Sequence, residues 1–408
     1  MIKQLRLKQS FFIALWFVFL TFPIMVIRVN TIEKAVEWRW KNMLYVGLGS
    51  FIFSFVWRYF LERREATEKR TATGETNIKP LSRLIIEDPA IYRPALGVVA
   101  LFLLCSPFVL STYHTNVMTT ALMYVVLALG LNIIVGLTGL LNLGYVAFYA
   151  AGAYCYALLN HHFGIGFWAA LPLGAVVGAV FGVLLGLPVM RLRGDYLAIV
   201  TLGFAEIARL VLENWNKFSF GPSGIAHISQ PGFFGMNLGI RGITIYLYFL
   251  MVGFCLLTIF VVRRLQNSRA GRAWVAVRED ETASQAMGID TARAKQTAFA
   301  VGAAWAGMMG VIFAAKTTFI NPASFNFLES AMVLSVVVLG GIGSIPGIAV
   351  AALLLILLPE YLRAFSDYRM LVFGIAMVAM MIFRPQGIIP HVRRTYEFHD
   401  ISAEDKGV

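Results

Sequence analysis

The sequence predicts an all-α integral membrane protein, a polytopic bundle of helices, on three observations. Runs of about 20 apolar residues recur from one end of the chain to the other, each long enough to cross roughly 30 Å of hydrocarbon as a helix. Over 408 residues, hydrophobic types make up 59% and charged types 14%, against about 25% charged in ordinary soluble domains, and mean hydropathy is +0.73. The runs also lack the in-and-out alternation that strands in lipid need. Helices satisfy their own backbone groups and are the remaining way to span a bilayer.

The elements follow in order. Lys3, Arg6 and Lys8 precede an apolar run from Phe11 to Val29. No small-residue cleavage site follows it, so it reads as an uncleaved first helix rather than a signal peptide. With a second crossing, Met43 to Leu61, it makes residues 1–62 an amino-terminal two-helix extension. Residues 63–93 carry Arg63, Arg64, Lys69, Arg70, Lys79, Arg83 and Arg93 around a Thr, Gly and Asn-rich centre and read as a charged, flexible linker.

A ten-helix core over residues 94–384 is expected next. Its first six crossings are Pro94 to Leu110, Val117 to Val135, Leu143 to Leu159, Phe167 to Met190, Tyr196 to Leu212 and Ile243 to Val262. A polar stretch, 263–295, interrupts. Four more follow: Thr297 to Ala315, Ala331 to Leu339, Ile345 to Leu358 and Met370 to Phe383. Val333 to Pro359 reads either as one long helix or as two; three glycines and a proline between Gly340 and Gly347 favour the break. Residues 385–408 form a tail.

The net charge of +12 does not point to nucleic acid, because the positive residues sit between the apolar runs. With a cytoplasmic amino end, the inside segments hold the linker cations, Arg191, Arg193, Arg263, Arg264, Arg269, Arg272, Arg278, Arg293, Lys295 and the tail's Arg384, Arg393 and Arg394. Loops after Leu110, Leu159 and Ala315 hold almost none, as the positive-inside rule requires. Arg28, Lys34, Arg39 and Lys41 fall outside and disagree with it. Both termini are therefore expected in the cytoplasm, with the orientation of the first hairpin left open.

Several chemistries find no residues to support them. No G-x-x-x-x-G-K-[ST] occurs, so the chain has no P-loop to cradle ATP. Cys105, Cys155 and Cys255 lie inside apolar runs without metal or redox spacing and read as small buried hydrophobes. His161 and His162 sit in a short loop without a carboxylate or cysteine at ligand spacing and read as solvated. A membrane enzyme needs a clustered nucleophile, base or metal set, and the sequence presents none. No metal site is expected.

Four features can carry mechanism. The first is the polar stretch: Ala273 to Met287 is rich in helix formers, Gly288 stands where a C-cap stops a helix, and Trp274 and Val277 share a face beside Arg278 and Glu281. The second is glycine spacing: Gly174, Gly178, Gly182 and Gly186 line one helix face, and Gly302, Ala306 and Gly310 repeat the device. Such stripes let helices approach closely in lipid, as static packing or as a sliding surface. The third is Glu206 with Arg209 and Glu213, at spacings of three and four, so that they meet on one face. They make either a structural pair or a transient partner for a zwitterionic solute. The fourth is irregular backbone at Gly136–Gly139 with Asn142 and Gly144, at Gly221–Gly224, and at Gly340–Gly347. It is tolerated at membrane depth only when buried in protein or lining water. Gly340 and Gly341 therefore line a pathway or make a tight turn.

Thr282-Ala283-Ser284-x-x-x-Gly288 resembles the EAA signature of ABC importer permeases, the coupling helix that docks into an ATPase groove. Ala283 and Gly288 fit, Ser284 is a small substitute, and Thr282 replaces the usual Glu. The chain more closely resembles the LivM-type permease subunits of branched-chain amino acid importers. The matching stretches are Gly136 to Tyr154, Arg193 to Phe204, Gly221-Pro-Ser-Gly-Ile225, and Gly271-Arg-Ala-Trp274 with Arg278-Glu-Asp-Glu281. The likeness runs from about Pro94 to Pro390, and the amino-terminal pair looks like the extension many such subunits carry.

The resemblance implies a ten-helix importer permease core and a five-part system in the bacterial inner membrane. Its other parts would be a sister LivH-type permease, two ATPases that hold ATP and Mg, and a periplasmic binding protein for leucine, isoleucine and valine. This chain would hold no cofactor and catalyse no covalent step. Arg272, Ala273, Arg278, Glu279, Asp280, Ala283, Ser284 and Gly288 would transmit ATPase closure. Asn142, Gly144, Glu206, Arg209, Gly340 and Gly341 are the candidate pathway residues. A related importer for urea or short amides is the alternative. An ion-coupled secondary transporter is a further one, although it needs mid-membrane carboxylates and inverted repeats, and the sequence offers only Glu206 and no repeat.

Overall fold

The computed structural model describes residues 27–30, 35–38, 102–190, 192, 194–232, 239–361, 374–375, 377–378, 380, 382 and 387–389. The chain divides into two units, Met1–Tyr92 and Arg93–Val408. Of the first, the described part is a short antiparallel hairpin, β1 (Ile27–Asn30) and β2 (Ala35–Trp38), in which Arg28 faces Glu37 in register and Val29 faces Val36. The expected crossing Phe11 to Val29 is corrected at its end, where Ile27 to Val29 are strand. β-Branched residues alternating with polar ones suit an extended pair better than a helix. The rest of that crossing, the second crossing, the linker 63–93, Arg191 and Arg193 lie outside the described residues.

The second unit is helical almost throughout. Residues 102–109 form a helix, followed by α1 (Thr112–Asn132), which continues as a π-helical turn over Ile133–Leu137. Then come α2 (Tyr145–Phe163), α3 (Phe167–Val189), α4 (Asp195–Asn214) and α5 (Ile240–Gln266). The polar stretch folds as α6 (Arg269–Glu279) and α7 (Glu281–Ala286). α8 (Thr291–Thr317), α9 (Phe327–Gly340) and α10 (Ile345–Tyr361) complete the bundle. The described residues of the expected last crossing are helical at 374, 375, 377, 378, 380 and 382. Among the described residues, Thr112–Leu137, Phe167–Pro188, Ile240–Gln266, Thr291–Thr317 and Pro322–Gly340 are long and apolar enough to cross a bilayer. The chain is thus a multi-pass membrane protein.

Helix starts are set by side-chain caps. Ser111, Ser268, Asp280, Asp290 and Asn326 each accept a hydrogen bond from a backbone N–H of the first turn, filling donors that a helix leaves orphaned. The separation of α9 from α10 follows from Gly341 and Gly343, at φ +105° and +89°, where a side chain would be strained.

Two helices form the axis. α1 packs against α5, α8, α9 and α10, and α8 packs against α3, α2 and α1. In its apolar window α1 is 89% buried, against 33% for α3 and α5. α3 accordingly turns Trp168, Val176, Val180, Leu184 and Leu187 outward. An apolar face of that kind is stable against lipid tails or another membrane chain, not water.

Candidate functional site

The polar stretch was expected to form one helix from Ala273 to Met287; the structure has two. Asp280 leaves helical geometry at φ −155°, ψ 113° and its carboxylate accepts from Thr282 N at 2.8 Å and Ala283 N at 2.9 Å. It therefore ends α6 and starts α7. Gly288, at φ +83°, stops the pair as expected.

The hairpin has an inner and an outer face. Gly271, Trp274, Val277 and Ser284 are buried. Trp274 Nε1 donates to Thr297 Oγ1 at 3.2 Å, and Lys295 donates to Glu281 at 2.6 Å, so α8 holds both short helices. Arg272, Glu279, Asp280, Ala283 and Gly288 are exposed, and Ala273 is half-buried. The inward position of Ser284, 5% exposed, removes it from a partner-facing role. Met287, by contrast, is 83% exposed.

Arg278 joins the hairpin to the membrane core. Its Nη1 donates to the carbonyl of Gly136 at 2.5 Å, inside the π-helical turn that ends α1. π turns leave carbonyls out of the regular ladder, and a charge-assisted bond is the strong way to satisfy one. Beside it, the buried Asn132 Oδ1 accepts from Gly343 N at 2.9 Å, and Gln266 Nε2 donates to Gly343 O at 3.3 Å. Gly136 must be glycine for this: a Cβ there would lie 1.9 Å from Asn132 Oδ1. The ends of α1 and α5, the α9–α10 turn and the hairpin thus meet at one polar junction.

Each glycine stripe makes a close approach, the first to α8 and the second, from another side of α8, to α1 and α2. Cβ atoms at Gly178 and Gly182 would stand 2.4 Å from Ala303 O and 2.7 Å from Phe299 O, and one at Gly174 2.3 Å from Val311 Cγ2. Gly186 has ordinary room, its nearest neighbour at 3.8 Å. Gly302 packs on Ile134, and Gly310 on Tyr149 O at 2.1 Å; Ala306 is buried between them. Gly307, outside the predicted stripe, is the tightest junction. Its Cβ would fall 2.1 Å from Gly174 O, while one at Gly152 would fall 2.0 Å from Gly307 O.

The candidate pathway residues are not gathered around one opening. Asn142 is fully buried and its Oδ1 accepts from Gly144 N at 2.8 Å. A Cβ at Gly144 would stand 2.1 Å from Thr201 O. Gly340 and Gly341 form a tight turn, closed by Ser344 N donating to Gly341 O at 2.9 Å. Arg209 lies between Glu206 at 2.5 Å and Glu213 at 2.7 Å on half-buried α4, one cation shared by two carboxylates, so the triad carries a net charge of about −1. Two charges that the sequence reading set outside the crossings lie within helices instead. Lys316 of α8 donates to Thr120, and Glu329 of α9 accepts from the Tyr124 hydroxyl. Cys255 is buried as expected, whereas Cys105 is exposed and Cys155 half-buried. His161 and His162 are both exposed.

Comparison with known proteins places these features in context. The family described as the permease component of the branched-chain amino acid transport system matches residues 113–381. The high-affinity branched-chain amino acid transport system permease protein LivM of Salmonella typhimurium strain LT2 is 39% identical over 96% of each chain. Its namesake in Escherichia coli K12 is 42% identical over 89% of this chain and 88% of the relative. The LivH permease protein of the same strain is 26% identical over 67% of this chain and 93% of the relative. No solved structure matches the chain.

Proposed function

The chain belongs to the family of permease components of branched-chain amino acid transport systems, and on that premise we propose that it is the LivM-type permease of an ATP-driven importer for leucine, isoleucine and valine. It works with a sister LivH-type permease in the bacterial inner membrane. Two separate ATPases bind ATP and Mg, and a periplasmic protein delivers the amino acid. The chain performs no covalent chemistry of its own.

The observation that carries this reading is the bond from Arg278 to the Gly136 carbonyl. A permease without a P-loop must receive force from a partner, and the α6–α7 hairpin offers an exposed edge at Ala283, Met287 and Gly288. Displacing that edge pulls on the end of α1, the most buried helix of the bundle, and on α8 through Trp274 and Lys295. Packed interfaces are bistable rather than continuously deformable, so the displacement is converted into a switch between outward- and inward-open arrangements. Tight glycine contacts between α3 and α8 make those helices move as one body.

The test is reconstitution of the chain with its sister permease, ATPases and binding protein in proteoliposomes. ATP-dependent leucine uptake is expected. Uptake of urea or acetamide in place of leucine would replace the substrate assignment. Uptake that persists on an ion gradient without the ATPases would replace the mechanism.

A further inference from the structure

We propose that the cavity around Lys316, at the end of the bundle opposite the α6–α7 hairpin, is a low-affinity site for the carboxylate of the amino-acid cargo. The proposal rests on the amino-acid reading above and assigns that carboxylate a partner.

Position comes first. α1 and α5 both end at the hairpin: Gly136 meets Arg278, and Gln266 lies two residues before the Ser268 cap of α6. Their starts, at Thr112 and Ile240, therefore lie at the far end. α8 runs the other way. Its Lys295 is bonded to Glu281 of the hairpin, and Lys316 stands about 30 Å further along at 1.5 Å per residue, close to the thickness of the hydrocarbon layer. Together these three helix ends wall a cavity of about 310 Å³, lined by Thr112, Asn116 and Thr119 of α1, Ile240 and Thr244 of α5, and Lys316 of α8. That volume suits a small solute, since ligand cavities run from about 300 to 1,000 Å³.

The charge comes second. Among the described residues, Lys316 is the only charged residue that lines the cavity. Its ammonium donates to the neutral hydroxyl of Thr120, and no ion pair among the described residues includes it. A positive charge is thus left without a carboxylate in a walled space, where an unpaired charge is costly. The helix starts add to the same sign. Neither α1 nor α5 has an acidic residue in its first turn, and α5 has no side-chain cap. Free backbone N–H groups and the positive end of a helix dipole both favour an anion.

The walls come third. Ile240, Ile243 and Leu247 give α5 an apolar face toward the cavity, which suits an aliphatic side chain. The oxygens of Asn116, Thr119, Thr244 and Gln230 can accept from an ammonium. Neutral acceptors hold an ammonium less firmly than a carboxylate does, which suits a stop that the cargo must leave again. Urea and acetamide carry no carboxylate and gain nothing from Lys316.

The experiment uses the assembled importer in nanodiscs without its binding protein, titrated by ligand-observed NMR with leucine and with leucinol, which lacks the carboxylate. Leucine is expected to bind about tenfold or more tightly than leucinol, and Lys316→Gln should bring leucine down to the level of leucinol. Lys316→Arg should keep the preference. Thr244→Leu, which fills the cavity from α5 and leaves the charge in place, should weaken leucine binding whether or not Lys316→Gln assembles. Equal binding of leucine and leucinol to the wild type, binding of neither, a Lys316→Gln complex that still prefers leucine, or unchanged leucine binding in Thr244→Leu overturns the proposal. A second arm measures docking of the leucine-loaded binding protein and leucine uptake in proteoliposomes. Lys316→Gln should dock normally and import several-fold more slowly. Failed docking would give Lys316 to an acidic side chain of the binding protein and overturn the proposal. Wild-type uptake of leucine in the same vesicles separates these outcomes from failure of the amino-acid reading, which would leave the wild type itself inactive toward leucine.

Discussion

Arg278, on a short helix outside the apolar core, donates from Nη1 to the main-chain carbonyl of Gly136 at 2.5 Å, so the α6–α7 hairpin and the end of the central helix α1 are tied by one side chain. Hydrogen bonds made by charged groups contribute about 1.5–3 kcal/mol. Arg278→Gln is expected to lower leucine uptake per ATP hydrolysed several-fold in the reconstituted importer, with assembly intact. Lys at this position should recover less than half of the loss, because an ammonium lacks the planar reach of a guanidinium. Parallel measurement of uptake and phosphate release checks this.

The two faces of the hairpin differ in accessibility. Met287 is 83% exposed and Ser284 5%. In a chain whose three native cysteines are replaced, Met287→Cys should react with a membrane-impermeant maleimide added from the cytoplasmic side, and Ser284→Cys should not. Adding the ATPase subunits should protect Met287→Cys. Labelling from the outer side would reverse the orientation and remove the coupling role.

The glycine contacts are graded, so substitutions should be too. At Gly307 and Gly178 an added Cβ meets backbone at 2.1 and 2.4 Å. Overpacking of that kind costs about 1–3 kcal/mol or more. Gly307→Ala and Gly178→Ala should lower the thermal midpoint of the purified complex by several degrees, and Gly182→Leu should abolish its assembly. Gly253 of α5 has nothing within 4 Å of its added Cβ, and Gly253→Ala should be neutral or stabilising by up to about 1 kcal/mol. Fluorescence-detected melting of the three alanine variants, and co-purification of the complex for Gly182→Leu, are the measurements.

Lys295 and Glu281 are buried unequally, their side chains 5% and 26% exposed. Removing Glu281 strands a buried ammonium, whereas removing Lys295 leaves a carboxylate that water can reach. Glu281→Ala should therefore destabilise more than Lys295→Met, by about 3 kcal/mol against about 1 kcal/mol. Melting of the two purified variants at one pH tests this order.

Sequence reading placed helices well and charges poorly, and the two outcomes share a cause. Apolar length located every described crossing, because desolvation acts on each segment by itself, and the glycines and proline after Leu339 located the break at Gly340. The same rule trimmed the expected crossings at Ala315 and Ala331, one residue short of Lys316 and two past Glu329, since hydropathy treats a charge as the edge of a span. The expected helix Ala273 to Met287 failed for a related reason. Asp280 is a mid-helix residue on propensity and becomes a cap only when α6 and α7 fold back on α8.

What the amino-acid order determined by itself was local: the apolar spans, the glycine stripes, the Gly288 stop and the Glu206–Arg209–Glu213 spacing each lie within one element, where helical periodicity alone decides which residues meet. What the tertiary structure decided were the pairings across long separations: Arg278 with Gly136, Asn132 with Gly343, Gly152 with Gly307, Lys316 with Thr120 and Tyr124 with Glu329. Those depend on which helix faces packed together, a balance of many small contacts between elements that periodicity within one element does not encode.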